Sequence, residues 1–304
     1  MLTEQGFPIA ARTYRAWKNP GPPTPRHRRD EAILDVLNGL KGDLDTGVPA
    51  SPEVLYGRRK MTRWLRRNGF PNVAFCTVDR LMRVAGMNGV IRTNKVRTTI
   101  PAKDGKRAGD LLDRNFGALA PNTVIVADFT YVRTWAGFCY VAFVLDCYAQ
   151  RIVGWNLSYS KTTALVLDAI RMTTWARASE GHPHSRHELL HHSDAGSQYT
   201  SIKFTEHLDL EGIRPSIGSV GDAYDNALME TVIGLFKVEA LRSKVFHQGP
   251  YKNLTDVEKA TGNWVWWWNH QRLHSSLEYQ TPLEAEHQYY NQTNQPQLAS
   301  KEAA

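Results

Sequence analysis

Residues 124–132 read VIVADFTYV, an apolar strand of the kind buried at the centre of a sheet, with one carboxylate, Asp128, in its middle. A carboxylate buried there is costly unless it is paired or bound to a metal ion. Two more runs rich in Val, Ile, Phe and Tyr follow, Phe138 to Leu145 and Arg151 to Leu157, set apart by the turn segments TWAG (134–137) and DCYAQ (146–150). With a first strand over Thr123 to Val132, these predict an antiparallel meander.

Beyond the meander the hydrophobic period changes to that of alternating helices and strands. The pattern predicts a helix over Lys161 to Arg177, a strand over Glu188 to His192, a helix over Ser201 to Leu210, a strand over Ile213 to Ile217 and a long helix over Asp222 to Leu241. The order β-β-β-α-β-α-β-α fits an α/β fold: a mixed sheet flanked by helices, antiparallel in its first three strands and parallel beyond.

Two further acids stand out. Asp194, in HHSDAGSQY (191–199), falls where the fourth strand gives way to a loop, and ligands of α/β folds gather at strand C-termini. Glu230 lies on the long helix, with thirty-five residues between it and Asp194. Singly, each acid has an ordinary reading: a salt-bridge partner, a turn residue, a solvated helix position. Together, with the first and fourth strands adjacent, they converge. Attack on a phosphodiester needs an activated nucleophile and a stabilised leaving oxygen, and two hard cations about 4 Å apart serve both needs. Magnesium takes oxygen ligands, so a few carboxylates suffice. On the same helix Asn226, Glu230, Gly234 and Lys237 share a face, which suits a DNA end or an ordinary solvated surface equally.

Charge is regional. Residues 1–107 hold 21 Lys or Arg against 9 Asp or Glu, a balance of +12, whereas residues 108–304 hold 16 against 21, a balance of −5. The basic part points to nucleic acid or to a solvated basic surface. Ser51-Pro52 starts a helix predicted to run to Asn68, with Arg58, Arg59, Lys60, Arg63, Arg66 and Arg67 within ten residues free of acids; a second helix over Thr77 to Ala85 carries Arg80 and Arg83. The pair reads as a helix-turn-helix-like unit or a small helical bundle. The expected organisation is a flexible basic lead-in (1–29), a small all-α domain (30–92), a linker (93–121), the α/β domain (122–288) and a polar tail (289–304).

Several classes are excluded. No apolar run reaches membrane-spanning length and the first residues lack a secretory signal, so a cytoplasmic location is expected. Cys76, Cys139 and Cys147 suggest neither a disulfide framework nor zinc. His182, His184, His187, His191 and His192 invite a zinc reading, but no cysteine lies within this run or close after it and SEGHPHSRHE (179–188) reads as a polar loop; His192 is near enough to Asp194 to meet DNA. Trp264, Trp266, Trp267 and Trp268 read as core packing, with base stacking as the alternative. No glycine-rich phosphate loop is present.

The segments HSDAGSQYTS (192–201), GDAYDNALMETVIGLFKVE (221–239) and WNHQRLHSSLEYQTP (268–282), in this order and spacing, resemble the second-frame product of IS-three-type insertion-sequence transposases, relatives of retroviral integrases. YGRRKMTRWLRRNG (56–69) and TVDRLMRVAGMNG (77–89) resemble that family's helix-turn-helix region, and residues 126–155 its first-aspartate strand and hairpin. The resemblance implies an RNase H-like core, two Mg2+ or Mn2+ ions held by Asp128, Asp194 and Glu230, and joining of terminal-repeat ends to target DNA without a covalent protein intermediate. It matches Lys237 to the family's basic residue after the glutamate, and Asn269, Arg272 and His274 to its N-x-x-R-x-H pattern. Arg272 is thereby expected at DNA. Gly234 stands where retroviral integrases often carry Lys. A homo-oligomer and an upstream-frame partner or fusion are further implications; a nuclease without strand transfer and an inactive DNA-binding regulator are the alternatives.

Overall fold

The computed structural model describes residues 6, 9–19, 21–43, 45–90, 118–193, 202–217 and 227–302. The chain divides into two compact units, Met1–Gly89 and Val90–Ala304.

The first unit is helical: α1 (Ala11–Lys18), α2 (Pro25–Leu40), a 3-10 turn (Pro52–Leu55), α3 (Arg58–Arg67) and α4 (Phe75–Val84). Ile33 and Leu37 from α2, Met61 and Leu65 from α3, and Val78 and Leu81 from α4 make its core. The flexible lead-in expected over residues 1–29 is corrected in part. The Thr24 hydroxyl accepts the N–H of His27 at 3.2 Å and Pro25 occupies the first turn, so α2 starts there; α1 forms too, burying none of its residues. The single helix expected over 51–68 is two pieces. It breaks at Tyr56-Gly57, where Gly89 runs against the backbone. At φ +67°, a Cβ on Gly89 would lie 2.7 Å from the Gly57 nitrogen, so only glycine permits the crossing.

The second unit holds a five-stranded sheet. Strands β1 (Val124–Thr134), β2 (Gly137–Asp146) and β3 (Arg151–Ser158) form the antiparallel meander, and β4 (Leu190–Ser193) and β5 (Arg214–Ile217) add in parallel, giving the order β3-β2-β1-β4-β5. The expected antiparallel meander, the parallel strands beyond it and the adjacency of the first and fourth strands are as found. Helices α5 (Thr163–Ser179), α6 (Ile202–Glu211), α7 (Ala227–Leu235), α8 (Leu254–His270) and α9 (Pro282–Glu302) follow in chain order, α7 continuing into a π-helical turn over Phe236–Arg242.

Strand period two divides the core. Ile125, Ala127, Ala142 and Val144 pack with Leu165, Val166, Ala169 and Ile170 of α5 and with Phe204 and Leu208 of α6. Gly154 on β3 allows α5 its approach: a Cβ there would meet the Ala169 carbonyl oxygen at 2.1 Å. The other face is aromatic. Phe143, the register partner of Asp128, meets Phe236 at 5.0 Å and Trp264 at 5.9 Å between ring centroids. Trp264, Trp267 and Trp268 are buried, which makes most of the tryptophan run core, whereas Trp266 is exposed.

Polar side chains finish what the sheet leaves open. Asn269 accepts the N–H of Ile152 at 3.0 Å and donates to its carbonyl at 2.8 Å, standing in for a neighbour along the edge strand β3. At the start of the meander Arg177 donates to Asp146 at 2.8 Å and to both oxygens of Glu286, at 2.6 and 2.8 Å. Arg151 adds a 2.7 Å ion pair to Glu286, so α5, α9, β2 and β3 are clasped through charges removed from water. Burial alone would raise the Glu286 carboxyl; the hydrogen bonds and charge of Arg177 outweigh it and hold Glu286 below the usual carboxylate range.

Candidate active site

Asp128 sits half-buried on β1, with its Oδ1 accepting the N–H of Phe129 at 2.7 Å. Glu230 lies exposed in the first described turn of α7. Helix α7 buries Met229, Val232 and Ile233 and packs against β1, bringing together the elements that carry the two acids. Asp194 and Asn226 lie outside the described residues. The chain reaches Asp194 directly from Ser193, the last residue of β4, and β4 runs parallel beside β1 with His192 level with Val126. First and fourth strands are therefore neighbours, as convergence of the acids requires.

A second contact reinforces the α7–β1 packing. Lys237 sits seven residues after Glu230, in the π turn, and its ammonium lies 5.3 Å from the ring centre of Tyr131, three residues after Asp128 on β1. Tyr131 is 60% exposed. The helix expected to continue regularly to residue 241 instead widens at Phe236, and this π-helical stretch buries Phe236, Glu239 and Ala240. Sequence reasoning does not single out Tyr131, because a strand period marks it only as one more outward aromatic.

His192 is buried, with Nδ1 3.0 Å from the Ser216 hydroxyl, so it braces β4 to β5 rather than facing DNA in this arrangement. Its neighbour His191 lies edge-on to Phe204, and burial, aided by His192, pushes its pKa down to about 3. Arg272 corrects the expectation of a DNA contact. It is 4% exposed, donates to both oxygens of Glu239 at 2.7 and 3.0 Å, and stacks 4.5 Å from the Trp268 ring centre. His274 Nε2 lies 3.1 Å from the Trp268 carbonyl, so the N-x-x-R-x-H pattern serves packing.

In the helical unit Arg58, Arg59, Arg63, Arg80 and Arg83 are exposed and Lys60 is half-buried over the Tyr56 ring. Arg58 and Arg83 pair with Asp79, and Arg80 with Asp30 at 2.8 Å. These pairs are solvent-exposed and weak, and leave the surface cationic.

Comparison with known proteins places this geometry. Two family profiles described as Integrase core domain match residues 118–223 and 211–282, and one described as HTH-like domain matches residues 51–95. A Mycobacterium tuberculosis protein assigned as the transposase of insertion sequence element IS986/IS6110 is 44% identical over 290 residues, covering 95% of this chain and 99% of its own. The transposase for insertion sequence element IS629 of Shigella sonnei is 47% identical, covering 81% and 78%. Among solved structures, a simian T-cell lymphotropic virus intasome in complex with a PP2A regulatory subunit is 15% identical with a TM-score of 0.48, covering 78% of this chain and 74% of that one. The second unit is thus an integrase core and the first contains a helix-turn-helix-like domain. The chain belongs to the IS-three-type family of insertion-sequence transposases, enzymes of nucleotidyl transfer that act on DNA.

Proposed function

We propose that this transposase cuts and joins the ends of its insertion sequence with Asp128, Asp194 and Glu230 as the metal-holding triad, and that the packing of α7 on β1, which juxtaposes the carriers of Asp128 and Glu230, is the observation that carries the reading. Carboxylate donors suit Mg2+ or Mn2+ rather than a soft metal, and among the described residues no alternative cluster of three His, Cys, Asp or Glu offers a competing cage. Two bound ions would activate the attacking oxygen and stabilise the departing one.

The chain's own residues do the rest. The carboxylates are positioned by a rigid strand and by a helix. Lys237 supplies positive charge beside a phosphate, and the α3–α4 arginines hold the duplex through its backbone. In hydrolysis, water oxygen bonds to phosphorus and the 3′-oxygen leaves with a proton. In joining, the freed 3′-hydroxyl attacks a target phosphodiester, one P–O bond forming as another breaks. An element has two ends and each chain offers one triad, so the active form is a homo-oligomer.

The test is strand transfer of a labelled terminal-repeat oligonucleotide in Mg2+, comparing the unaltered chain with Asp194→Asn. The variant is expected to bind the repeat and fail to join it. Undiminished joining would overturn the triad, and cleavage without joining by the unaltered chain would replace a transposase with a nuclease.

A further inference from the structure

Residues 108–304 carry a balance of −5, yet one groove formed by them is cationic. Beside the end of β1 lies an open cavity of about 390 Å³ lined by Tyr131, Val132, Arg133, Lys237, Leu241, Arg242 and Tyr251. Among the described residues three cations and two tyrosines line it, without a carboxylate. The rim is aromatic as well: Phe138 stands edge-on to Tyr131, with 5.6 Å between ring centroids, and Trp135 at the hairpin tip is 72% exposed. The hairpin is held in place, because the N–H groups of Trp135 and Ala136 donate to the carbonyls of Tyr251 and Lys252, each at 3.0 Å.

Exposed aromatics carry a cost in solubility and are commonly used where one face must meet a flat, apolar partner. Cations interleaved with rings, free of acids, match a nucleic-acid strand whose bases are unpaired: the rings stack on base faces and the cations hold the phosphates. Within a fully paired duplex the base faces are already stacked on one another, and only the terminal pair leaves one uncovered. The volume suits one nucleotide, falling at the small end of the roughly 300–1,000 Å³ usual for ligand sites.

We propose that this groove captures a single unpaired nucleotide next to the reacting phosphodiester, its base stacked on Tyr131 and its phosphates held by Lys237 and Arg242. The proposal rests on the integrase-type reading of Asp128 and Glu230, whose elements, β1 and α7 with its π turn, also carry Tyr131, Lys237 and Arg242. The ring and the ammonium now occupy one another at 5.3 Å. An entering nucleotide gives Lys237 a phosphate and releases the ring to the base, so cation and aromatic exchange one partner for two. The groove thereby rewards fraying of the duplex near the cut site, which positions the strand without contacting its sequence.

The test measures binding of the full chain to fluorescein-labelled duplexes in EDTA, where no joining occurs. One pair carries the element's terminal repeat, blunt or frayed at its 3′ end by a few mismatches; a second pair has unrelated sequence, blunt or frayed. The unaltered chain is expected to prefer frayed over blunt duplex by at least roughly fivefold, the low end for one base stacked on an aromatic ring. Tyr131→Ala is expected to erase that preference and Tyr131→Phe to keep it. Arg242→Gln is expected to weaken all duplexes alike and reduce the salt slope by about one. The pair showing the larger preference identifies the strand as transposon end or target. Asp128→Asn should retain the full preference while losing joining, which separates failure of the groove from failure of the triad. No preference in the unaltered chain, or a preference intact in Tyr131→Ala, overturns the proposal.

Discussion

Two carboxylates on neighbouring strands of the sheet, three register positions apart, have opposite circumstances. Asp146 ends β2 opposite Ile125, fully buried, and takes the N–H groups of Asn122 and Tyr148 and a guanidinium from Arg177. Asp128 lies opposite Phe143, half-buried, with the N–H of Phe129 on its Oδ1. At one site arginines have neutralised the acids and tied four elements together. At the other, Asp128 and Glu230 stand on packed elements, and Lys237 in the π turn lies over Tyr131. A carboxylate in an apolar run is thus structural where a buried arginine meets it, whereas the proposed triad assigns Asp128 to chemistry.

Substitution should separate these circumstances. Asp128→Asn is expected to cut DNA joining on the order of a thousandfold, because a metal-stabilised phosphoryl transfer loses several kcal/mol of its assistance. The melting temperature should stay within a few degrees of the unaltered chain. A large drop in melting temperature would make Asp128 structural, like Asp146. Arg177→Met reverses the pattern: it strands Asp146 without its guanidinium, leaves Glu286 with Arg151 alone, and is expected to cost about 3–5 kcal/mol in denaturant unfolding. Equal midpoints for the two variants would erase the contrast.

Acid sharpens it further. His191 lies level with Ile125 across β1, in the same row as Asp146, and its folded pKa of about 3 lies far below that of the unfolded chain near 6.5. Between those values the unfolded chain binds a proton that the folded chain refuses. The stabilising contribution is whole above pH 6.5 and is lost as pH falls toward 3, by on the order of a few kcal/mol. The melting temperature of His191→Leu should decline less steeply than that of the unaltered chain between pH 6.5 and 4.5; parallel declines would show that His191 protonates freely within the fold.

The meander and the parallel pairing beyond it were legible in the sequence because strand period and turn residues are local. So was the place of Glu230 on a helix. Other features depend on partners far away in the chain. Arg177 finds Glu286 109 residues later, and Arg272 finds Glu239 33 residues earlier. No local pattern distinguishes a solvated arginine from one that will be covered. The π turn at Phe236–Arg242 was equally silent, since widening a helix by one residue satisfies tertiary packing and needs no special composition. The break at Tyr56-Gly57 depends on Gly89, whose approach is visible only in the folded unit.

Arg272 gives the smallest and most exact division between the two circumstances, because a resemblance assigned it to DNA and the fold assigns it to the core. Its guanidinium spans both oxygens of Glu239 while lying over Trp268, an arrangement that needs a planar fork. Lysine keeps the charge and loses both the second hydrogen bond and the stacking. Arg272→Lys is therefore expected to cost about 1–3 kcal/mol in unfolding, from the weakened charge-assisted bonds, and to leave DNA affinity and its salt dependence unchanged. Arg59→Gln on the exposed face of α3 should do the converse, lowering the salt slope by about one with stability within about 0.5 kcal/mol. If Arg272→Lys were to reduce the salt slope at unchanged stability, the Arg272–Glu239 pair would have to open in the DNA complex. The family's polar pattern would then belong to the reaction after all.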